Sequence, residues 1–306
     1  MAEPNMSVVV PAYNASWCIR DVVRSVQWQT RRDWEMILVD DGSTDDTWAV
    51  MQELAAGDER ISPLHFDNGG TPVAINRGLK AARGQWLAVV GADDQWYSSM
   101  LERCMDFLAE HPGLSIVYTP MVPVTRDNQV IQGHSKPCHS GWLTEKLFQS
   151  IFIHDSSAIF HRRVYETCGG FDETMRVGSG HEFWLKVSTK FEFGLIDEPL
   201  AQRTWTATSL TRSNRGRGRQ FTTDMLERFY FQKGGKDILK AGPALRRLSH
   251  VSYKAGKLLL AEGNPRQAKR YLAKAVKYRP TNLRAWPGLL ASAVASLFAG
   301  RERKDK

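Results

Sequence analysis

Over its first 120 or so residues the chain alternates short apolar runs with amphipathic stretches of about ten residues. Ser7–Pro11 is a β-branched run ending at proline. Met36–Val39 and Trp86–Val90 are further apolar runs, and Ile61–Phe66 and Ser115–Tyr118 read as extended. Between them Ile19, Val22, Val23 and Val26 recur at helical spacing, and Asp45–Leu54, Val73–Ala82 and Leu101–Leu108 read as helices. Strands separated by helices need crossover connections. The pattern therefore predicts an α/β fold, with a mainly parallel sheet covered by helices on both faces. Ligands of such sheets bind beyond the carboxyl ends of the strands. Those ends carry Pro11-Ala12-Tyr13-Asn14, Asp40-Asp41-Gly42-Ser43 and Gly91-Ala92-Asp93-Asp94.

Beyond residue 120 the pattern loosens. Val122–Gly133 reads as a hairpin, and Leu143–Ser150 and Glu182–Phe191 as helices. The polar, basic run at 212–220 marks a boundary, predicting one domain over 1–215 and a helical region over 216–306. Charge changes at the same place. Residues 1–211 hold 18 Lys and Arg against 27 Asp and Glu, and the remainder hold 23 against 6. The overall net charge of +8 is thus a property of the tail. Arg212, Arg215, Arg217 and Arg219 could grip phosphates, but few aromatics are interleaved and no base-reading module is present, so nucleic acid is disfavoured as a partner.

Within the tail, 253–286 reads as a helix–turn–helix about Gly263-Asn264-Pro265, with Ala268, Tyr271, Leu272 and Ala275 as an apolar stripe. It resembles one tetratricopeptide unit, which cannot bury its own face alone. Leu283–Ala299 carries Trp286, Leu289, Leu290, Val294, Leu297 and Phe298. Basic residues flank it, including Arg301, Arg303, Lys304 and Lys306. This composition suits an anionic membrane surface, and packing on the hairpin is the competing reading. No apolar run approaches the ~20 residues of a membrane span. Met1–Met6 is too short and polar for a secretory signal. Cys18, Cys104, Cys138 and Cys168 are too scattered for a zinc site or a disulfide framework. The expected location is cytoplasmic, with peripheral attachment to the inner membrane face as the role open to the tail.

Carboxylates at Asp40 and Asp41 could accept from a nucleobase N–H or from ribose hydroxyls. Turn and capping chemistry, with Ser43 or Thr44 capping a helix that carries Asp45 and Asp46 in its first turn, is the alternative. Asp93 and Asp94 follow the most apolar strand. Two acids there are costly unless solvated, hydrogen-bonded or neutralised by a cation. A hard divalent ion, Mg²⁺ or Mn²⁺, held by one or two carboxylates and a ligand diphosphate would fit, and a capped turn is again the alternative.

Five segments, taken in order, resemble the family 2 glycosyltransferases of the GT-A fold over roughly residues 6–211. They are Ser7–Asn14, Val39–Thr47, Asn76-Arg77-Gly78 with Ala82-Arg83-Gly84, Ala92-Asp93-Asp94, and Gly169–Glu173. The resemblance implies a nucleotide-diphospho-sugar donor, a divalent metal (Mn²⁺ or Mg²⁺), and inverting transfer of the hexosyl type to a glycan or lipid-linked acceptor, as in polysaccharide biosynthesis. It puts Pro11, Tyr13 and Asp41 in the nucleotide pocket. With Ala12, Asn14, Asp40, Asn76, Ala92, Asp93 and Asp94 these form the candidate nucleotide-sugar site, and Asp93 is the implied metal ligand.

The chain also departs from the family pattern. Gly91 stands where the DxD motif begins, Gly180 stands at the position of the general base, and Thr206 replaces a histidine before Ser209-Leu210-Thr211. An inverting transfer needs a base for the acceptor hydroxyl. Glu182 and His181 are the candidates to substitute. The alternative is a catalytically impaired member that binds nucleotide-sugar without efficient transfer. A nucleotidylyltransferase would need a glycine-rich N-terminal phosphate loop, which is missing.

Overall fold

The computed structural model describes residues 3–132, 137–175, 177–205 and 215–298. Thr206, Ser209–Thr211, Arg176, Arg212 and the basic residues after Ala299 lie outside them, as do the side chains of Arg215, Arg217 and Phe298. The chain divides into two compact units: residues 1–143 with 150–206, and residues 144–149 with 207–306.

The first unit is built on a seven-stranded sheet. Its strands are β1 (Met6–Ala12), β2 (Trp34–Asp40), β3 (Ile61–His65), β4 (Trp86–Val89), β6 (Ile116–Tyr118), β8 (Ala158–His161) and β9 (Gly194–Leu195), in the order β3-β2-β1-β4-β8-β6-β9. All run the same way except β8, which is antiparallel to both neighbours. The α/β architecture expected from the alternation is therefore present, with one reversed strand. A smaller sheet orders β5 (Asp94–Trp96), β10 (Ala201–Thr204) and β7 (Met121–Val124) as β5-β10-β7. The helices are α1 (Ile19–Gln27), α2 (Thr47–Ala56), α3 (Thr71–Ala81), α4 (Met100–Glu110), α6 (Arg162–Cys168) and α7 (Ser179–Val187). The helix expected over Glu182–Phe191 thus begins earlier, after Gly178, and ends at Val187. Of the expected hairpin of 122–133, the described residues show the antiparallel bridge of Val124 with Val130, with the Thr125 N–H on Gln129 O at 2.9 Å and the Ile131 N–H on Pro123 O at 2.8 Å, while β7 also pairs with β10.

β1 and β2 are central and covered on both faces, so they read as nearly continuous apolar runs. Besides Asp40 at the end of β2, their buried polar residues are Ser7 and Glu35, which satisfy each other. Ser7 Oγ donates to Glu35 Oε1 at 2.7 Å, and Glu35 also accepts from the Arg83 N–H (2.6 Å) and Arg83 Nε (2.8 Å). Gly84 completes the corner. Its N–H donates to Ser7 Oγ at 2.7 Å, and a Cβ there would lie 2.6 Å from the Ser7 nitrogen. Gly78 likewise sits where a Cβ would overlap Val9 Cγ1, so α3 packs directly on β1. Two of the sequence motifs are therefore close-packing devices.

The second unit contains α5 (Thr144–Gln149), α8 (Arg215–Gln232), α9 (Gly235–Ile238), α10 (Ala241–Ala261), α11 (Pro265–Tyr278) and α12 (Ala285–Phe298). The segment 144–149, read above as part of the first domain, groups here because Phe148 packs against Phe229 (6.0 Å) and Tyr230 (6.2 Å). The expected helical hairpin is α10–α11. Its turn is closed by the Asn264 N–H on Leu259 O at 2.8 Å, and its core joins Ala255, Leu259, Ala268, Tyr271 and Leu272. Its otherwise open faces are covered from within the unit. Tyr271 OH donates to Asp224 of α8 at 2.6 Å, Tyr278 OH bonds Glu227, and Leu289 of α12 packs on the core.

Candidate functional site

Strands β1, β2 and β4 end on the same edge of the sheet, with Ala12 paired to Asp40 and Val9 to Val89. Asp40 is fully buried. Its Oδ2 lies 2.6 Å from His65 Nδ1, and its Oδ1 accepts the Ser43 N–H at 3.2 Å. Asp41 is also buried, and its carboxylate accepts from the Gly69 N–H (2.9 Å) and the Gly70 N–H (2.8 Å), with Arg77 Nη1 at 3.8 Å. Asp41 therefore folds the loop of 67–70 against the strand end. Gly42 permits this, with φ at +72° and room for no Cβ beside the Asn68 nitrogen. The Gly-Gly pair before α3 is a signal the sequence reading did not use.

The β1 loop is braced to the β2 loop. The Asn14 N–H donates to Ser43 Oγ at 2.9 Å, the Thr44 N–H to Asn14 Oδ1 at 2.8 Å, and the Ala15 N–H to Thr47 Oγ1 at 2.7 Å. Asn14 adopts φ +50°, and Tyr13 beside it is 51% exposed at the rim. Pro11 and Ala12 complete the strand end. Neither Ser43 nor Thr44 caps α2 as expected: the helix begins at Thr47 after Asp46, and Ser43 and Thr44 bond Asn14. Asp45 and Asp46 therefore lie ahead of its first turn, where Asp45 has its own partners. It bonds Ser16 and Thr47, joining the two loops.

Asn76 bonds the Gly169–Glu173 segment. Its Nδ2 donates to Phe171 O and to Glu173 Oε1, both at 2.9 Å, and its Oδ1 accepts the Phe171 N–H at 2.8 Å. The carboxamide thus latches the Gly169–Glu173 motif, and its polar atoms are taken up by the protein. Gly170 lies where a Cβ would overlap Asn76 Oδ1.

At the end of β4, Gly91, Ala92, Asp93 and Asp94 form a turn closed by the Asp94 N–H on Gly91 O at 3.0 Å. Ser156 Oγ donates to Asp94 Oδ2 at 2.5 Å and accepts the Gly91 N–H at 3.0 Å. Burial, and then the adjacent Asp93, push the Asp94 carboxyl up to about 7, against the opposing effects of Ser156 and Arg203. Burial likewise raises Asp93. A small cleft of about 30 Å³ adjoins the pair, lined also by Trp17, Cys18 and Arg126, whose guanidinium lies 4.1 Å from the Trp17 ring centre. A Cβ at Gly91 would come within 3.1 Å of Asp94 and 3.2 Å of Asp93, so a third acid there would crowd an already raised pair.

Among the described residues no three His, Cys, Asp or Glu side chains converge on one point. The donor set nevertheless suits a hard divalent cation. Adjacent carboxylates whose ionisation is disfavoured by burial are relieved by a cation, and a ligand diphosphate would supply further oxygens.

Helix α7 carries the remaining candidates. His181 and Glu182 are both buried. Glu182 Oε2 lies 3.9 Å from Lys186 Nζ, which donates to Gly170 O at 2.6 Å. Gly180 and Trp184 are one turn apart and share another face, from which Glu182 is about 200° removed. That face meets Asp155. Trp184 Nε1 donates to Asp155 Oδ1 at 2.7 Å. Glu182, expected as a substitute base, thus lies on a different face of α7 from Gly180, with Lys186 beside its carboxylate. The sequence reading missed Asp155, Ser156 and Arg203. The Asp155-Ser156-Ser157 run ahead of an apolar strand was the available signal.

The strand order, the single reversed strand and the acidic pairs closing β2 and β4 together define a GT-A arrangement. Solved structures agree on the fold. Staphylococcus aureus TarS 1–349, determined with UDP-GlcNAc, superposes with a TM-score of 0.58 at 17% identity, covering 90% of this chain and 89% of that one. The mannosyltransferase PcManGT of Pyrobaculum calidifontis, determined with GDP-Man and Mn²⁺, gives 0.56 at 22% identity, covering 97% and 81%. The chain belongs to glycosyl transferase family 2, whose model matches residues 7–169, more than half its length. It is 41% identical over 109 residues to TuaG of Bacillus subtilis, covering 35% of this chain and 43% of that one. It is 31% identical over 196 residues to the chondroitin synthase of Escherichia coli, covering 64% and 28%. The chain thus spans less than half the length of these two relatives.

Proposed function

We propose that the chain transfers a sugar, of the hexosyl class, from a nucleotide-diphospho-sugar donor to a glycan or lipid-linked acceptor, with inversion and with metal assistance. The observation that carries this reading is the pair of acidic strand ends, Asp40-Asp41 and Asp93-Asp94, on either side of β1 at one sheet edge. Membership of family 2 and the nucleotide-sugar complexes of TarS and PcManGT support it.

In this reading Pro11, Ala12, Tyr13 and Asn14 line the nucleotide side, with Asp40 and Asp41 holding its loops. Ala92 and Asp94 shape the diphosphate side, where Arg126 and Arg203 contribute positive charge. Asp93 would hold the divalent ion, Mn²⁺ or Mg²⁺, which when bound offsets charge on the donor's diphosphate. The exposed apolar stripe of α12 would rest on an anionic membrane surface near a lipid-linked acceptor.

Absence of a side chain at Gly180 favours a second reading, a protein that binds nucleotide-sugar and transfers poorly. One experiment separates the two. Melting of the full chain is followed with UDP and GDP, with and without Mn²⁺, and release of nucleoside diphosphate from UDP-GlcNAc and GDP-mannose is then measured. Mn²⁺-dependent stabilisation with turnover is expected. Stabilisation without turnover would select the second reading, and neither effect would overturn both.

A further inference from the structure

The carboxylate of Asp155 fills the space that any side chain at position 180 would need. A Cβ at Gly180 would lie 2.5 Å from Asp155 Oδ2 and 2.6 Å from Oδ1, so a side chain at 180 and this carboxylate exclude each other. Trp184, one turn along the same face of α7, donates Nε1–H to Oδ1 at 2.7 Å and fixes the carboxylate's orientation. From the other side, Asp155 opens the short 3-10 turn Asp155–Ser157. The next residue of that turn, Ser156, holds both Asp94 and the Gly91 N–H. One short turn thus ties Asp155 to the acidic end of β4. Arg203, paired in register with Asp94, acts electrostatically on Asp93, Asp94 and Asp155 alike.

The geometry points to Asp155 as the general base of the transfer, supplied by the turn at 155–157 to the place that Gly180 leaves open. The inference rests on the transfer reaction proposed above. Asp155 takes the proton of the acceptor hydroxyl. The acceptor oxygen bonds to the anomeric carbon of the donor. The bond from that carbon to the β-phosphate oxygen breaks, and its electron pair leaves with the nucleoside diphosphate. Packed surroundings push the Asp155 carboxyl up to about 6, despite the Trp184 bond and the Arg203 charge. A base is most effective when its pKa lies near the working pH. Gly180 and Trp184 bring no charge to this carboxylate, and among the described residues Arg203 of β10 is the cation that acts on it.

The test uses the full chain with Mn²⁺ and UDP-GlcNAc or GDP-mannose, with water or added glycan as acceptor. Nucleoside diphosphate release is followed, and binding of UDP and GDP is measured by calorimetry. Asp155→Asn is nearly isosteric and is expected to lower kcat by about 10²–10⁴-fold, leaving donor KM and nucleoside-diphosphate affinity within about threefold. Asp155→Gly combined with Gly180→Asp returns a carboxylate to the same space from the helix, and is expected to recover at least about tenfold over Asp155→Gly alone. A merely structural role would lower affinity and stability and would not be rescued by the exchange. Wild-type release that survives Asp155→Asn within about fivefold overturns the inference and leaves the transfer reading standing. A wild type that neither binds nor releases nucleoside diphosphate overturns the transfer reading, and this inference with it.

Discussion

Ser156 Oγ donates to Asp94 Oδ2 at 2.5 Å and in the same position accepts the Gly91 N–H at 3.0 Å. Both residues of the bond to Asp94 are buried, so the hydroxyl satisfies a donor and an acceptor that water reaches poorly. Ser156→Ala is expected to cost about 1–3 kcal/mol of stability, the range for leaving buried polar partners unmet. Urea unfolding measures it. A loss below about 0.5 kcal/mol would mean that the turn re-forms its bonds elsewhere.

Asp155 gives a stability prediction that runs opposite to its proposed catalytic role. Its folded carboxyl is raised, mainly by burial, from the ordinary 3.8 to about 6. The folded chain therefore holds this proton more tightly than the unfolded one, and stability falls as pH rises from near 4 through 6. Asp155→Asn removes that penalty while keeping an acceptor for Trp184. The variant is expected to be more stable than wild type by about 1–3 kcal/mol at pH 7–8, with the gain vanishing below pH 4. Denaturant melts across that range would show it, and a gain independent of pH would contradict the assignment.

Glu35 has the reverse sign. Burial opposes its ionisation, but the bonds from Ser7 and Arg83 outweigh burial and hold the carboxyl below the ordinary 4.5. Its contribution is present above that value and is lost as pH falls through the folded pKa. Glu35→Ala is expected to cost about 2–4 kcal/mol near neutrality, a figure kept modest because Arg83 is largely exposed, and less in acid. Thermal melts at pH 7 and below pH 4 would check it; an undiminished acid difference would place the cost in packing alone.

The elements most legible in the sequence were those buried on both faces. β1, β2 and β4 are nearly continuous apolar runs because both faces of the sheet are buried there. β5 and β9 span three and two residues, too short to show any period, and only pairing with distant strands makes them strands. The acidic strand ends were legible as a site. What each carboxylate touches was not, because the partners are remote in sequence: Gly69 and Gly70 for Asp41, and Ser156 for Asp94. Gly180 could be read as a missing side chain, whereas the carboxylate that fills its place comes from Asp155 on a separate turn.

The Gly170–Asn76 contact joins two of the sequence motifs, Asn76-Arg77-Gly78 and Gly169–Glu173. A methyl group at 170 would overlap Asn76 Oδ1, which accepts the Phe171 N–H. Gly170→Ala is expected to cost about 1–3 kcal/mol by overpacking and by loosening that bond. Asn76→Ala removes both the obstruction and the bond, so the added cost of Gly170→Ala should shrink by at least about 1 kcal/mol in that background. A double-mutant cycle by urea unfolding reads the coupling directly. Additive costs would show that the alanine is accommodated without Asn76.

Helix α12 presents two faces. Ala285 and Ser292 are buried and Leu289 packs on the α10–α11 core, whereas Leu290 and Leu297 are 64% and 73% exposed, in line with exposed Leu283, Trp286 and Val294. Packing on the hairpin, one of the two expectations for this helix, is thus seen on one face, and the other face is left exposed. No helix among the described residues is long and apolar enough to cross a membrane, so contact with lipid would be lateral. Leu290→Asp with Leu297→Asp changes only exposed positions and should leave melting nearly unchanged. The pair is expected to lower flotation with vesicles of phosphatidylglycerol and phosphatidylcholine at least about tenfold, since two apolar anchors are lost and two negative charges face an anionic surface. Flotation equal to wild type would remove the stripe from any membrane role, and flotation lost only at high salt in both proteins would assign binding to the basic residues of the tail instead.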